Sequence, residues 1–516
     1  MSGSSHKLVI KDAARQLFGR IISALFGFII TKIIASYLGP LRYWDYGTIF
    51  RYFARRTALV DFGIYVIAVR QLGKIKEEQG ENSPALTENY NKFIGTRVVM
   101  IVLIYTLAIT VAYLIPAYTD NQFIIRGLPI AMLYSASNMF VGIQQLPLQL
   151  FWRMDKLSWS LIIARFSQLA VLIPTVYLLF KEVDFEADGP ASRIMVAAFC
   201  MVVFSVTASS IGQNIDVHHK SKNLLPFKIN IDKSFIKNIL SKNRKYWFSY
   251  FFSSFHTLIV LMFLGRFFPT ATGFKYVGYR ALALSLIEIL LIIPSSLGNS
   301  LLHKIANYSL TDKKKSFGNL LTMIIRIAII IAINFVVFDE EIIRFVSSAE
   351  FLGNRETLAN RGSNQILPFL GIVLALSFIK QVFNYLFVAV EKQNILFYIN
   401  LIGVIVGVAI GLIVIPKYNL LGGIITQIVI EMMFTFGAIF IAYRNKLIPT
   451  IQKKTFRLLI SILFIAGIIG RGIHSYLSAL EMNWLRFFAI AILFNGLILL
   501  ASFKPIKKIA KGLTID

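Results

Sequence analysis

The sequence is poor in charge, in acid and in cysteine. Only 15% of its 516 residues are charged, against 56% that are hydrophobic. A soluble domain is about 25% charged and roughly 45–50% apolar. The apolar surplus has no single core to fill, which excludes a soluble enzyme, a nucleic-acid-binding module and a disordered chain. One cysteine, Cys200, excludes a disulfide framework and a cysteine-based metal site. The six histidines are scattered, with His218-His219 adjacent. No paired-aspartate motif, metal-ligand cluster or nucleophile triad signature accompanies them, so no cofactor, metal or enzymatic activity is expected. Acids number 26 against 53 Lys and Arg, a net charge of +27. In a soluble chain that balance would suggest nucleic acid; here no nucleic-acid partner is expected, and the question is on which side of a membrane the charge lies.

What the chain has instead is apolar runs of about twenty residues, the length a helix needs to cross ~30 Å of hydrocarbon. Fourteen spans are expected, at 17–38, 46–69, 94–117, 127–152, 158–180, 194–215, 246–268, 276–301, 318–338, 363–390, 395–415, 420–443, 458–475 and 487–503. The second holds Arg51, Arg55, Arg56 and Asp61 and is the least apolar; its neighbours need it in order to alternate sides. Ahead of the first span, the spacing of Leu8, Val9, Ile10, Ala13 and Leu17 predicts a short amphipathic helix on the membrane surface. The run behind it lacks a small-residue cleavage pattern and reads as a retained anchor.

The positive-inside rule tests the count. With both termini cytoplasmic, the inside segments hold 31 Lys and Arg and the outside loops 10. Dropping one span would invert every later loop and spoil this asymmetry. The longest inside loop, 216–245, carries eight Lys and Arg. It divides the chain into an N-lobe (1–215, spans 1–6), a basic cytoplasmic linker (216–245), a C-lobe (246–443, spans 7–12) and a C-terminal part (444–516, spans 13–14 and a basic tail). Within the linker, Phe235, Ile236, Ile239 and Leu240 alternate with Lys233, Lys237 and Lys242. This reads as an interfacial helix laid on anionic headgroups, with a solvated linker as the plainer reading.

Twelve basic residues remain inside the expected spans: Arg20, Lys32, Arg51, Arg55, Arg56, Arg97, Arg165, Arg266, Arg280, Arg326, Lys380 and Arg471. Three acids do: Asp61, Glu288 and Glu431. Each mid-bilayer cation costs roughly 2.5–3.5 kcal/mol on insertion scales. Snorkelling to the headgroups accounts for Arg97, Arg266 and Arg471, and leaves Arg20, Arg165 and Arg326 open between the headgroups and an interior cavity. It serves poorly for Lys32, Arg51, Arg55, Arg56, Arg280 and Lys380, which lie deeper. Cations facing one another repel unless they line an aqueous cavity whose occupant is an anion, and the Arg fork suits phosphate. The substrate-binding candidates are therefore Arg20, Lys32, Arg51, Arg55, Arg56, Arg280 and Lys380. Glu288 and Glu431 read either as partners of neighbouring cations or, with Asp61, as ion-coupling groups.

Several motifs resemble a known family. Tyr37-Leu38-Gly39-Pro40, Tyr46-Gly47, Asp61-Phe62-Gly63-Ile64 and Arg70 resemble the opening of the polysaccharide (O-antigen/Wzx-type) flippases. So do Gly273-Phe274-Lys275-Tyr276-Val277-Gly278-Tyr279-Arg280-Ala281, Ile293-Pro294, His303-Lys304 and Tyr418-Asn419-Leu420-Leu421-Gly422-Gly423. These flippases belong to the multidrug/oligosaccharidyl-lipid/polysaccharide exporter superfamily. The resemblance implies an all-α polytopic membrane protein of about fourteen transmembrane helices, with two six-helix lobes around a central cavity plus two C-terminal helices. It implies transport of an undecaprenyl-pyrophosphate-linked oligosaccharide across the bacterial cytoplasmic (inner) membrane. Membrane lipids and glycan polymerase or assembly proteins are the implied partners. It points to spans 1, 2, 7 and 8 as the cavity lining, hence to Arg20, Lys32, Arg51, Arg55, Arg56, Asp61, Arg280 and Glu288.

Three other functions compete. A membrane polymerase or ligase needs a catalytic outside domain, and the longest outside loop, 339–362, has 24 residues. A drug exporter for cations needs intramembrane acids, and the balance runs the other way. A peptidoglycan-precursor (lipid II-type) flippase would present the same electrostatics, since that substrate also bears a pyrophosphate and a polyprenyl tail.

Overall fold

The computed structural model describes residues 3–61, 64–151, 153–185, 192–241, 260, 263, 271–295, 297–298, 309–352, 362–390, 392, 394–449, 487 and 489–496. Among the described residues every regular element is helical, as the apolar periodicity demands. The chain forms two compact units, Met1–Ser254 and Phe255–Asp516.

The first unit contains α1 (Gly3–Asp61), α2 (Ile64–Gln79), α3 (Pro84–Tyr113), α4 (Gln122–Gln144), α5 (Met154–Pro174), α6 (Arg193–Ser221) and α7 (233–241). The second contains α8 (Ala271–Leu290), α9 (Leu310–Val337), α10 (Asp339–Val346), α11 (Ser363–Ala389) and α12 (Asn394–Arg444). Nine helical segments among the described residues are long and apolar enough to cross a membrane. Two of these are compound. α1 breaks at Gly39 (φ 64°, ψ 172°) and α12 at Asn419 (φ 51°, ψ −126°). These breaks separate expected spans 1 from 2 and 11 from 12. Apart from 260 and 263, the expected span 246–268 lies outside the described residues, as do 458–475 and, within 487–503, positions 488 and 497–503.

The surface of α3 shows why this is a multi-pass membrane fold. Its enclosed face carries Tyr90, Asn91, Thr96, Arg97 and Tyr105, while Val102, Leu103 and Leu107 are about 60% exposed. Water would favour the reverse arrangement; hydrocarbon favours this one.

The break at Gly39 uses backbone angles open to glycine alone, and Pro40 suits the first turn of the helix that restarts. Asp45, placed by the sequence in an exposed outer loop, is fully buried beside the break. Arg42 donates to it at 3.1 Å and Asn121 at 2.7 Å. Asn121 also caps α4, accepting from the amides of Phe123 and Ile124. One carboxylate thus fastens the α1 break to the start of α4. Farther along, Tyr52 donates to the Ala108 carbonyl at 2.6 Å and Thr57 meets the Tyr105 hydroxyl at 2.9 Å, joining α1 to α3. α6 joins α4 through Thr207, which donates to the Ile130 carbonyl, and Asn214, which donates to the Ser137 carbonyl.

The linker is partly structural. α6 continues to Ser221, and 226–232 has no regular secondary structure before α7. The helix expected around Phe235 forms, but its apolar side turns to protein. Phe235 packs on Phe93 with ring centroids 5.0 Å apart, and Ile239 is 3% exposed. For Phe235 and Ile239 the reading as a headgroup contact is therefore corrected: Phe235 lies against α3 and Ile239 is buried in protein.

In the second unit, α11 and α12 are joined by Thr435, which donates to the Leu376 carbonyl at 3.1 Å. Asn334 of α9 exchanges amide hydrogen bonds with Asn495 at 2.8 and 2.9 Å. Phe338 sits against Phe487 and Phe494, so the described part of expected span 14 packs on α9.

Candidate functional site

The two units hold separate sets of intramembrane cations. In the first, Tyr52, Phe53, Thr57 and Val60 of α1 face α3. At about 100° per residue, position 51 lies opposite that face, and Arg51 is half-buried there. Tyr43, Tyr46 and Phe50 flank it in a row, with ring separations of 5.7 and 4.8 Å. Phe50 meets Tyr134 of α4 at 5.4 Å. The Tyr46 hydroxyl lies in the fields of both Arg51 and Arg165. Arg165 of α5 donates through Nε to Ser23 at 3.3 Å and through its terminal nitrogen to Gln168 at 3.4 Å. Guanidinium groups beside an aromatic row suit a ligand with an anionic head and an amphipathic body. Lys32 is half-buried on the first half of α1; the side chains of Arg20, Arg55, Arg56 and Asp61 lie outside the described residues.

Arg97 differs from its expectation. It does not snorkel but is 1% exposed, donating to the Val60 carbonyl at 3.5 Å with Met139 Sδ 3.7 Å away. Its position on the enclosed face of α3, with Phe93, Ile94 and Ile101, turns it inward, away from the headgroups.

In the second unit the cations gather on one row of α12. Arg280 of α8 is 0% exposed and donates to Gln427 at 2.6 Å. One turn farther along, Glu431, 3% exposed, receives Lys380 of α11 at 2.8 and 2.9 Å. Lys380 also stands 4.9 Å over the Phe434 ring. Arg326 of α9 is buried and Glu288 of α8 is exposed. The structure thus brings Lys380 and Glu431 together and places Arg280 near the same row of α12. Sequence reading missed Gln427. Its signal was the i, i+4 spacing from Glu431, which places both side chains on one helix face. Among the described residues no cluster of His, Cys, Asp and Glu could hold a metal ion.

Several solved structures are similar to this chain. The lipid II flippase MurJ, in an inward closed conformation, superposes with a TM-score of 0.62 at 15% identity, over 97% of this chain and 100% of that one. An inward-facing multidrug resistance MATE family transporter of the MOP superfamily gives 0.60 at 14% identity, over 84% and 98%. A MOP superfamily transporter from Pyrococcus furiosus, with a binding pocket of reverse polarity, gives 0.56 at 13% identity, over 86% and 95%. These likenesses establish the fold. No curated protein matches the chain. The polysaccharide biosynthesis protein family matches residues 9–296, more than half of the sequence, and the chain belongs to that family.

Proposed function

We propose that this protein is a flippase that carries an undecaprenyl-pyrophosphate-linked oligosaccharide from the inner to the outer leaflet of the bacterial cytoplasmic membrane. It works by alternating access, with both termini cytoplasmic, and makes or breaks no covalent bond. The observation that carries the reading is Arg280, a fully buried guanidinium on a membrane-spanning helix, held at 2.6 Å by Gln427, in a polysaccharide biosynthesis family member. A cation kept at that depth is costly and marks a substrate or ion pathway. Pyrophosphate offers the paired oxygens that an Arg fork matches. The polyprenyl tail stays in the bilayer while the head crosses. Arg280 is covered in this conformation and becomes accessible in another state of the cycle.

In this reading Arg51 and Arg280 bind the phosphates, with Lys32 and the Arg20, Arg55 and Arg56 positions supplementing them. Tyr46, Phe50 and Tyr134 offer faces to the sugar. Transport is coupled to protons or Na⁺ through Asp61, Glu288 or Glu431. A glycan polymerase and other envelope-assembly proteins receive the product. The glycan is an O-antigen or a related surface polysaccharide.

The test is translocation of lipid-linked oligosaccharide in proteoliposomes at matched protein levels. Arg51→Ala and Arg280→Ala are expected to slow it about tenfold or more, a loss of ~1.4 kcal/mol or above. Wild-type rates in both variants would overturn the assignment of these residues, and no translocation by the native protein would overturn the function. Likeness to MurJ over the full chain favours one second reading, a peptidoglycan-precursor flippase. Parallel assays with lipid II and with a lipid-linked O-unit decide between them.

A further inference from the structure

The basic linker is held against the membrane end of α3 in a way that the function above does not use. Asn91 accepts the Lys228 amide on its side chain at 2.8 Å and the Asn230 amide on its carbonyl at 3.3 Å. Lys92 pairs with Asp232 at 3.2 Å. Gly95 lets the strap lie close, since a β-carbon there would stand 1.9 Å from the Asn230 carbonyl oxygen. Asp232 also caps α7, accepting from the Ser234 hydroxyl at 2.6 Å and the Phe235 amide at 3.0 Å.

This fastening sets both depth and direction. Along α3, Glu88, Asn89, Asn91 and Lys92 precede Phe93 and Ile94, and beyond Arg97 the residues 98–104 are all apolar. The contact at Asn91–Gly95 therefore lies at the headgroup boundary. α7 turns Phe235 and Ile239 onto protein. What remains outward is Ile229 and Ile231, each 55% exposed, with Lys228, Lys233 and Lys237 also exposed. The one acid in 226–241, Asp232, is already taken by Lys92 and the α7 cap. Two isoleucines beside three lysines at headgroup depth combine apolar insertion with attraction to negative charge.

We propose that the strap 226–237 is an anionic-lipid contact site: Ile229 and Ile231 enter the acyl boundary of the cytoplasmic leaflet, and Lys228, Lys233 and Lys237 bind acidic phospholipid headgroups. The lipid-facing surface is thus the irregular strap together with the lysine side of α7, whereas Phe235 and Ile239 of that helix serve the protein.

The native chain has one cysteine, so a site-specific probe is simple to place. In full-length protein carrying Cys200→Ala, Ile229→Cys or, independently, Ile231→Cys is labelled with an environment-sensitive fluorophore. The protein is placed in nanodiscs of phosphatidylcholine alone or of an equimolar mixture with phosphatidylglycerol. The expected result is blue-shifted emission and protection from aqueous iodide in the anionic discs only, weakened by added salt. Each Lys→Gln change at 228, 233 or 237 is expected to lower the inserted-to-free ratio about fivefold. Emission indifferent to phosphatidylglycerol at both positions would overturn the proposal. So would protection that survives the triple Lys→Gln change, which would mean burial by protein. Protection seen in native membranes but absent from anionic nanodiscs would also overturn it, pointing to a protein partner.

Discussion

Lys380 Nζ lies 2.8 and 2.9 Å from the two carboxylate oxygens of Glu431, with both side chains largely enclosed between α11 and α12. Removing one member of an enclosed pair leaves the other charge uncompensated, a loss of about 3–5 kcal/mol, whereas replacing both by apolar residues is close to neutral. Lys380→Met and Glu431→Gln are each expected to lower the thermal unfolding midpoint in detergent markedly. The double change Lys380→Met/Glu431→Leu should recover most of that loss. Additive losses across the cycle would show that the two charges are not coupled.

Arg280 and Gln427 separate stability from transport. Gln427→Leu removes a hydrogen bond to a charged group, worth about 1.5–3 kcal/mol, and should lower both thermal stability and flipping. Gln427→Glu replaces a neutral acceptor at 2.6 Å with a carboxylate, which ties the guanidinium more firmly. It is expected to keep the unfolding midpoint while slowing translocation, because a bound carboxylate competes with the substrate phosphates. Unchanged translocation in Gln427→Glu would remove Arg280 from the headgroup site.

The span plan was legible because hydrocarbon thickness imposes run length, and the Gly39-Pro40 and Tyr418-Asn419 motifs marked the two helix breaks. Burial of particular polar groups was less legible. Asp45 reads as a loop acid until Asn121, 76 residues away in sequence, folds onto it. Arg97 reads as a snorkelling cation because its distance from the span end is visible in the sequence, but the direction its helix face takes in the packed unit is not. Phe235 and Ile239 showed amphipathic spacing, yet spacing alone does not say whether lipid or protein covers the apolar side. Periodicity gives a helix its faces; the long-range partner assigns them.

The strap depends on one glycine. In an isolated helix Gly95→Ala would be favourable by about 1 kcal/mol. Here the added methyl would stand 1.9 Å from the Asn230 carbonyl oxygen, and a backbone atom has no flexible end with which to yield. The strap is therefore expected to lift from α3 while the membrane helices stay intact. Limited proteolysis should show faster cleavage within 226–241 and an unchanged pattern elsewhere. Asn91→Ala, which removes the acceptor for the Lys228 amide, should act in the same direction but more weakly.

Asp232 gives the strap a defined acid response. The Ser234 hydroxyl, the Phe235 amide and Lys92 together hold its carboxyl well below the usual aspartate range. A group whose folded pKa is depressed contributes stability that is fully present above its ordinary value, about 4, and is lost only as pH falls through the lower folded value. Protection of 226–241 against hydrogen exchange, corrected for intrinsic rates, should stay level from neutral pH to about 4 and decline only below. Asp232→Asn keeps a capping side chain but loses the attraction to Lys92 at 3.2 Å. Its protection should be lower at neutral pH and should not show the acid decline. If the native strap instead opened between neutrality and the ordinary aspartate value, the charge holding it would not be that of Asp232.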